Sequence, residues 1–311
     1  MRDLLYYYKM RFSKAFFESK KIIEDNKKRS IFDLEALSRE IIKTEKTYWG
    51  SNSDFGIQGV LQRKFEVKKH IIEHGFYMRR ILKNEMDSPI KTIVTMSPHR
   101  KKIIEEVYQK KSIVVGPYIH YAPSLLDDQS YEQLKLELGK VLVIFPTHST
   151  ILGNMEYDIQ EFIQKAKVLQ SELKVDTVLV CLFYRDIQQG LAKYYEAENL
   201  RVVTAGHRFD PLFLSRLKSI IMLSDYTVSN QVGTHVGYSI YLEKPHTIIR
   251  QEVNFKGFEA IHTEKNKKNI LNEDFLKIEN ELLSHFSEVS TVISEKQKEV
   301  CEKYFGFSFV K

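Results

Sequence analysis

The chain is poor in cysteine and has no long apolar run, and both deficits exclude classes of protein. Only two of its 311 residues are cysteines, Cys181 and Cys301, which is too few for a disulfide scaffold. No segment reaches the ~18–20 uninterrupted apolar residues of a membrane span. The opening stretch MRDLLYYYKMRFSKAFF lacks the small-residue cleavage site of a secretory signal. We therefore expect a folded protein of the reducing cytoplasm.

Signals for nucleic-acid binding are also missing. The sequence contains no zinc-finger spacing, no RNA-binding aromatic signature and no helix-turn-helix pattern. A nucleic-acid partner is therefore not expected.

Positive charge is concentrated in the first half of the chain. The formal net charge is +6, and most basic clusters precede residue 112, among them Lys27-Lys28-Arg29 and Arg100-Lys101-Lys102. Solvated helix faces account for most such clusters. The alternative is an anionic partner, either a phospholipid surface or a charged glycan. Peripheral contact of the basic N-terminal half with the inner face of the membrane is left open.

The order of apolar and polar segments indicates an α/β protein. Helical spacing dominates residues 1–47, and a strand-helix-strand pattern covers residues 92–115. Apolar strands then recur at 140–145, 177–184, 201–204, 226–228 and 246–249, separated by expected helices that include 155–173 and 187–198. Such alternation predicts a parallel, doubly wound sheet. Three divisions are expected: 1–135 with leading helices, 136–290, and a C-terminal helix at 291–311.

The segment from Ser219 to Arg250 carries the clearest chemical signal. A short strand ends at a polar turn, and Gly233-Thr234-His235 then opens a helix. The start of a helix offers free N–H groups and a positive dipole end, which suit a phosphate. The other interpretation is an ordinary strand-turn-helix unit in which the glycine only permits a tight turn.

Two further strand ends in the second half bear similar polar residues. In a parallel sheet the carboxyl ends of consecutive strands lie on one edge, so these groups are expected to converge on one ligand. The candidate ligand-binding residues are His148, Ser149, Thr150, Gly206, His207, Arg208, Ser229, Asn230, Gly233, Thr234 and His235.

The same motifs resemble those of a known enzyme family. The strand end FPTHST, the turn TAGHR and the segment SDYTVSNQVGTHVGYSIYLEKP are similar to the donor-binding domain of GT-B glycosyltransferases that assemble bacterial capsule, lipopolysaccharide and related surface glycans. IEHGFY and VVGPYIHYA resemble loops of the acceptor domain, and KYFGF resembles the helix that returns to it. The resemblance covers residues 55–311 in architecture.

The resemblance implies two Rossmann-like domains facing across a cleft, with extra N-terminal helices. Residues 1–135 would form the acceptor side and residues 136–290 the nucleotide-sugar-binding side. The implied partners are a nucleotide-sugar donor and a glycan or lipid-linked glycan acceptor. No Asp-x-Asp pair occurs in the sequence, so neither a metal ion nor another cofactor is expected. The stretch Asn230–His235 lacks the acidic residue that often holds the donor ribose, which favours a CMP-activated acidic sugar over a UDP-sugar.

The catalytic base is expected in the first domain. His74, beside Gly75, is the first candidate because neutral imidazole is a suitable base near pH 7. His120 is the second candidate, and in the alternative interpretation either histidine merely caps a turn. Two other functions stay open: a nucleotide-sugar 2-epimerase, which would need several carboxylates in the cleft, and a non-catalytic glycan- or nucleotide-binding partner of an assembly complex.

Overall fold

The computed structural model describes residues 8–44, 56–57, 60–61, 70–78, 83–149, 153–256 and 273–311. The helices are α1 (Lys14–Asn26), α2 (Leu34–Leu37), α3 (Lys83–Met86), α4 (Pro98–Val107), α5 (Asp128–Leu138), α6 (Ile159–Glu172), α7 (Tyr184–Gln188), α8 (Ala192–Glu196), α9 (Phe213–Leu223), α10 (Thr234–Tyr241), α11 (Glu273–Phe286) and α12 (Glu295–Phe305), with 3-10 turns at Tyr118–Tyr121 and Phe307–Phe309. The strands are β1 (Ile71–Ile72), β2 (Thr92–Thr95), β3 (Lys111–Val114), β4 (Val141–Phe145), β5 (Asn154–Glu156), β6 (Thr177–Cys181), β7 (Arg201–Val203), β8 (Tyr226–Ser229), β9 (His246–Ile248) and β10 (Asn254–Lys256).

The larger sheet is parallel and is buried on both faces. Its five strands lie in the order β7-β6-β4-β8-β9. Along the central strand β4, Val141, Val143 and Phe145 enter one core, whereas Leu142 and Ile144 enter another. This split follows from the alternation of side chains along a strand. Helix α9 supplies the first core and α6 the second, so helices cover both faces and the predicted doubly wound sheet is confirmed.

The first half of the chain forms a smaller parallel sheet. Its strands pair in the order β1-β2-β3, and α4 makes the crossover between β2 and β3. Ser97 fixes the start of α4, because its side chain accepts the N–H of Arg100. Ile72 and Val94 pack in the same core as Val141 of the larger sheet. The predicted fold class, two α/β units facing across a cleft, is therefore confirmed.

The last helix joins the two units. Helix α12 begins with a capping box between Ser294 and Gln297 and ends at Gly306, whose φ of +65° is left-handed. It packs against α4 of the first unit and α10 of the second. The residue boundaries of the three expected divisions stay a prediction.

Two expected helices differ from the structure. Residues 154–156 form β5, which pairs antiparallel with β10, and α6 starts only after Asp158, whose side chain accepts the N–H of Glu161. The helix expected at 187–198 is divided into α7 and α8. Between them Gly190 has a φ of +80°, a left-handed conformation that ends the first helix.

The N-terminal helix presents aromatic side chains to solvent. Phe16 of α1 is buried, whereas Phe17 is 59% exposed and the preceding Phe12 is 74% exposed. Lys14, one helical turn before Phe17, is also exposed. Within the described ranges, no helix combines the length and the apolar character that crossing a bilayer requires.

Candidate active site

A cavity of about 390 Å³ opens at the carboxyl edge of the larger sheet. The chain runs from β4 outward through β6 to β7 and then returns to place β8 on the other side of β4. The switch in direction thus lies between β4 and β8, which is where open α/β sheets bind their ligands. The loops after these two strands both line the cavity.

The polar groups of the cavity come from both α/β units. The polar or small residues in its lining are His74, Gly75, Thr147, His148, Cys181, Ala205, Gln231, Gly233, Thr234, His235 and Tyr238. No Asp or Glu occurs among the described lining residues. Across the described part of the chain, no group of three His, Cys, Asp or Glu side chains comes together as a metal site.

Helix α10 points its N-terminus at the cavity. It begins at Thr234, and Gly233 provides no side-chain cap for the first N–H groups. A Cβ on Gly233 would lie 2.6 Å from the imidazole of His235, so a side chain at this position would displace that ring. Uncapped N–H groups and the helix dipole form a site for an anion at this end of the cavity.

The imidazole of His235 is neutral in the folded protein. Its ring is stacked on Phe145, with 5.3 Å between centroids, and its Nε2–H donates to the carbonyl oxygen of Gln231 at 3.3 Å. Burial lowers its pKa to about 4. His235 therefore offers hydrogen-bonding atoms to the cavity, but no positive charge near pH 7.

The loop after β4 is held by a buried amide. The N–H and hydroxyl of Thr147 donate to Oδ1 of Asn230 at 2.7 and 2.8 Å, and Nδ2 of Asn230 donates to Gln251 at 3.1 Å. Asn230 is fully buried and does not line the cavity. Its amide instead fixes the two loops that flank the switch point.

Of the next residues of this loop, Ser149 supports the loop and His148 lines the cavity. Ser149 is buried; its N–H donates to Asp186 at 3.1 Å and its hydroxyl accepts the N–H of Met155 at 3.2 Å. His148 is exposed in the cavity, with its ring 4.5 Å from that of Phe183. Thr150 lies outside the described residues.

Ser229, at the end of β8, supports the neighbouring turn. Its hydroxyl donates to the carbonyl oxygen of Gln231 at 2.8 Å and lies 3.1 Å from Nε2 of His246. The side chain is fully buried and is not part of the cavity lining. Its contribution is therefore to hold Gln231 and, through it, His235.

The turn after β7 reaches the cavity only through Ala205. β7 is the edge strand, two strands from the switch point, and its turn packs against the N-terminal segment. A Cβ on Gly206 would lie 3.4 Å from the carbonyl oxygen of Leu37, and the buried His207 lies 3.4 Å from Glu40. Neither these two residues nor Arg208 lines the cavity. Their role in donor binding stays a prediction.

The two candidate bases lie in different surroundings. His74 is exposed in the cavity lining, on the loop that follows β1. His120 is half-buried, lies 2.6 Å through Nδ1 from the hydroxyl of Tyr241, and does not line the cavity. The structure thus brings His74, and not His120, into one space with His148 and His235.

A buried ion pair lies directly behind His74. Glu73 accepts from Nε of Arg100 and from the hydroxyl of Thr95, both at 2.6 Å. Burial raises the pKa of the neighbouring Glu85 to about 9, and the charge of Glu73 acts in the same direction. This network fixes the backbone from which His74 extends.

Sequence reasoning did not single out the apolar part of the lining. Phe183 follows β6, so the rule that strand ends carry the site could have identified it. Phe213, Leu214 and Leu217 enter from α9, and helical periodicity cannot separate residues that line a cavity from residues of the core.

The chain matches no protein-family model and no curated protein. Solved structures with a similar course include the wall teichoic acid polymerase TagF, with 10% identity, a TM-score of 0.45 and coverage of 96% of this chain and 95% of that chain. The UDP co-structure of MnaA from S. aureus has 12% identity, a TM-score of 0.40 and coverage of 82% and 74%. UDP-GlcNAc 2-epimerase from Neisseria meningitidis, bound to UDP-GlcNAc, has 10% identity, a TM-score of 0.38 and coverage of 96% and 92%. At these TM-scores, function is argued from the residues of the cavity.

Proposed function

We propose that this chain is a glycosyltransferase that moves a sugar from a nucleotide-activated donor to a bacterial surface-glycan acceptor. One observation carries the proposal: the cavity at the switch point contains both an uncapped helix N-terminus and the exposed side chain of His74. The first feature suits a nucleotide phosphate, and the second suits the removal of a proton from an acceptor hydroxyl.

The leaving nucleotide would be stabilised by α10. Negative charge grows on the phosphate as the glycosidic bond breaks, so donors fixed in advance favour the transition state over the ground state. The first N–H groups of α10 and the hydroxyl of Thr234 are such donors. Because His235 is neutral, charge compensation on this side of the cavity comes from the helix end.

His74 would act as the general base. It extends from the first unit into the same cavity as the start of α10, so an acceptor bound between the two units could reach both. Neutral imidazole would accept the proton of the acceptor hydroxyl as that oxygen attacks the sugar carbon and the nucleotide phosphate departs.

The proposed reaction does not use a divalent metal. Mg²⁺ prefers oxygen ligands and is usually held by one or two carboxylates. The described lining has none, and the sequence lacks an Asp-x-Asp pair. The prediction is tested by EDTA: activity that is lost with EDTA and restored by Mg²⁺ would contradict it.

Among donors, we favour a CMP-activated acidic sugar over a UDP-sugar. The turn that leads into α10, from Asn230 to His235, contains no acidic residue that could hold two ribose hydroxyls. Thermal unfolding with CMP, CDP, UDP and GDP tests this choice. A nucleotide at 100 times its Kd adds about 2.7 kcal/mol of stability. Stabilisation by UDP alone would reverse the preference.

The acceptor would be a glycan or a lipid-linked glycan, and α1 would bring the protein to its membrane surface. The exposed rings of Phe12 and Phe17 are flanked by the exposed side chains of Arg11, Lys14 and Lys20. Basic residues beside exposed aromatic rings suit an anionic bilayer surface.

A comparison of two histidine variants tests the catalytic assignment. His74→Ala should lower the transfer rate about 10²–10⁴-fold with little change in donor affinity. His120→Ala is the matched control, because His120 lies in the same unit but outside the cavity lining, and it should keep nearly the parent rate. Full activity in His74→Ala would assign the base elsewhere.

The same assays separate the two alternative functions. A nucleotide-sugar 2-epimerase would convert the donor without any acceptor, although the described lining has none of the carboxylates that such chemistry would need. A non-catalytic partner would bind a nucleotide and show no turnover with any acceptor.

A further inference from the structure

The hydroxyl of Thr234 joins the two units at the cavity. Oγ1 of Thr234, the first residue of α10, accepts the N–H of Phe76 at 3.0 Å. Phe76 belongs to the first unit and lies two residues after His74. The proposed phosphate-binding helix therefore holds the loop that carries the proposed base.

The hydroxyl of Thr234 can form a second hydrogen bond. A threonine hydroxyl donates one hydrogen bond and accepts up to two. Within the described ranges it accepts from Phe76, so its own hydrogen stays available on the side that lines the cavity. An anion at the start of α10 can accept that hydrogen, and each of the two linked hydrogen bonds then strengthens the other.

The loop comes this close because Gly75 has no side chain. Its φ is +52°, and a Cβ there would lie 2.7 Å from Oγ1 of Thr234. Both the left-handed backbone and the space therefore require glycine.

The far side of the loop rests on the C-terminal helix. The ring of Phe76 is stacked on that of Phe305, with 4.7 Å between centroids and 29° between planes. Phe305 is fully buried against Gly237 of α10. The loop is thus held on one side by a hydrogen bond that a ligand can influence and on the other by a fixed aromatic contact.

We propose that the hydroxyl of Thr234 is a positioning group that couples occupation of the anion site to the placement of the His74 loop. When an anion accepts the hydroxyl hydrogen, the bond from Phe76 strengthens and the loop is fixed in its reactive position. This inference rests on the proposed function for its catalytic consequence, but the coupling itself is a property of the protein and its anion.

Amide hydrogen exchange at Phe76 tests the coupling without reference to catalysis. In the ligand-free protein, Thr234→Val should speed this exchange roughly tenfold, because a single hydrogen bond is lost. Thr234→Ser keeps the hydroxyl and should exchange like the parent. Thr147→Val is the matched control, since that hydroxyl also lines the cavity but donates to Asn230. Unchanged exchange at Phe76 in Thr234→Val would overturn the proposal.

Added nucleotide tests the link to the ligand. Saturating CMP, or UDP if that is the nucleotide bound, should slow exchange at Phe76 in the parent and in Thr234→Ser, and should have no effect on it in Thr234→Val. Equal slowing in all three proteins would overturn the coupling.

Kinetics distinguish this proposal from the proposed function. In a transfer assay, Thr234→Val should lower kcat about tenfold or more beyond any rise in the donor KM, and Thr234→Ser should restore it. If exchange behaves as expected but no transfer occurs with any donor, the proposed function fails and the coupling stands. If transfer occurs and Thr234→Val raises only KM, Thr234 is a donor-binding residue and the positioning role fails.

Discussion

Replacing Gly237 by alanine should destabilise the protein, although alanine is the better helix former. A Cβ at this position of α10 would lie 2.2–2.4 Å from three ring atoms of Phe305. Carbon atoms in van der Waals contact are ~3.5–4.0 Å apart, so the ring or the helix must move by more than 1 Å. The ring cannot move freely, because Phe305 is fully buried and stacked on Phe76.

The sizes of two opposing effects decide whether Gly237→Ala stabilises or destabilises the protein. Alanine favours the helix over glycine by about 0.8–1 kcal/mol. Overpacking a closed core costs about 1–3 kcal/mol, and disturbing the stacked pair costs a further ~0.5–1.5 kcal/mol. The expected net loss in the free energy of unfolding is therefore about 0.5–4 kcal/mol.

Urea unfolding of a double-mutant cycle measures this loss and its cause. Phe305→Leu makes room beside residue 237, so the double variant should be more stable than the sum of the two single effects predicts. Phe309→Leu, on the same C-terminal segment but 37% exposed, is the control and should change stability little. A Gly237→Ala variant as stable as the parent or more so would show that this contact is not tight.

Three further predictions concern charge and surface. Burial lowers the pKa values of His207 and His235 to about 4, so each should reduce the folding stability by about 1.4 kcal/mol per pH unit as pH drops from 6.5 toward 4. In His235→Asn the urea midpoint should change less steeply with pH than in the parent, and an equal slope would contradict this. The raised pKa of Glu85 acts in the opposite direction, so the folding stability should fall as pH rises from 4.5 toward 9. Glu85→Gln should flatten that decline, and an unchanged slope would show that another group causes it. Replacing Phe12 and Phe17 together by serine should reduce co-sedimentation with phosphatidylglycerol vesicles and leave sedimentation with phosphatidylcholine vesicles unchanged; equal binding by both proteins would rule out α1 as the contact.

The fold was predictable because its signals are local. The central strands β4 and β6 are short, nearly continuous apolar runs, and the helices between the strands show their own periodicity. The pair formed by β5 and β10 was not predictable, since three residues carry no period and the partner strands lie about a hundred positions apart. The break at Gly190 was missed because a single glycine inside a helical pattern is often tolerated.

The candidate site was only partly predictable because strand order is a non-local property. The sequence identified polar strand ends, but not which of them are neighbours. Since β8 crosses to the far side of β4, Gly233 and His148 meet in one cavity, whereas Gly206 is carried to the edge and is covered by the N-terminal segment. Whether His74 or His120 reaches the cavity likewise depended on where the loop after β1 and the 3-10 turn at Tyr118–Tyr121 lie in the fold.

Ring packing at Gly237 helps to fix where α10 lies. The ring of Phe305, from the C-terminal helix, occupies the space above Gly237, whereas the imidazole over Gly233 belongs to His235 of α10 itself. A side chain at Gly237 would therefore push α10 and the C-terminal helix apart, and one at Gly233 would displace the ring of His235. The N–H groups at the start of α10 are thus held in place by the contact between Gly237 and Phe305. Because Phe305 also contacts Phe76, the ring that fixes the proposed phosphate site also supports the loop of His74. A change in the C-terminal helix should consequently alter both halves of the proposed reaction together.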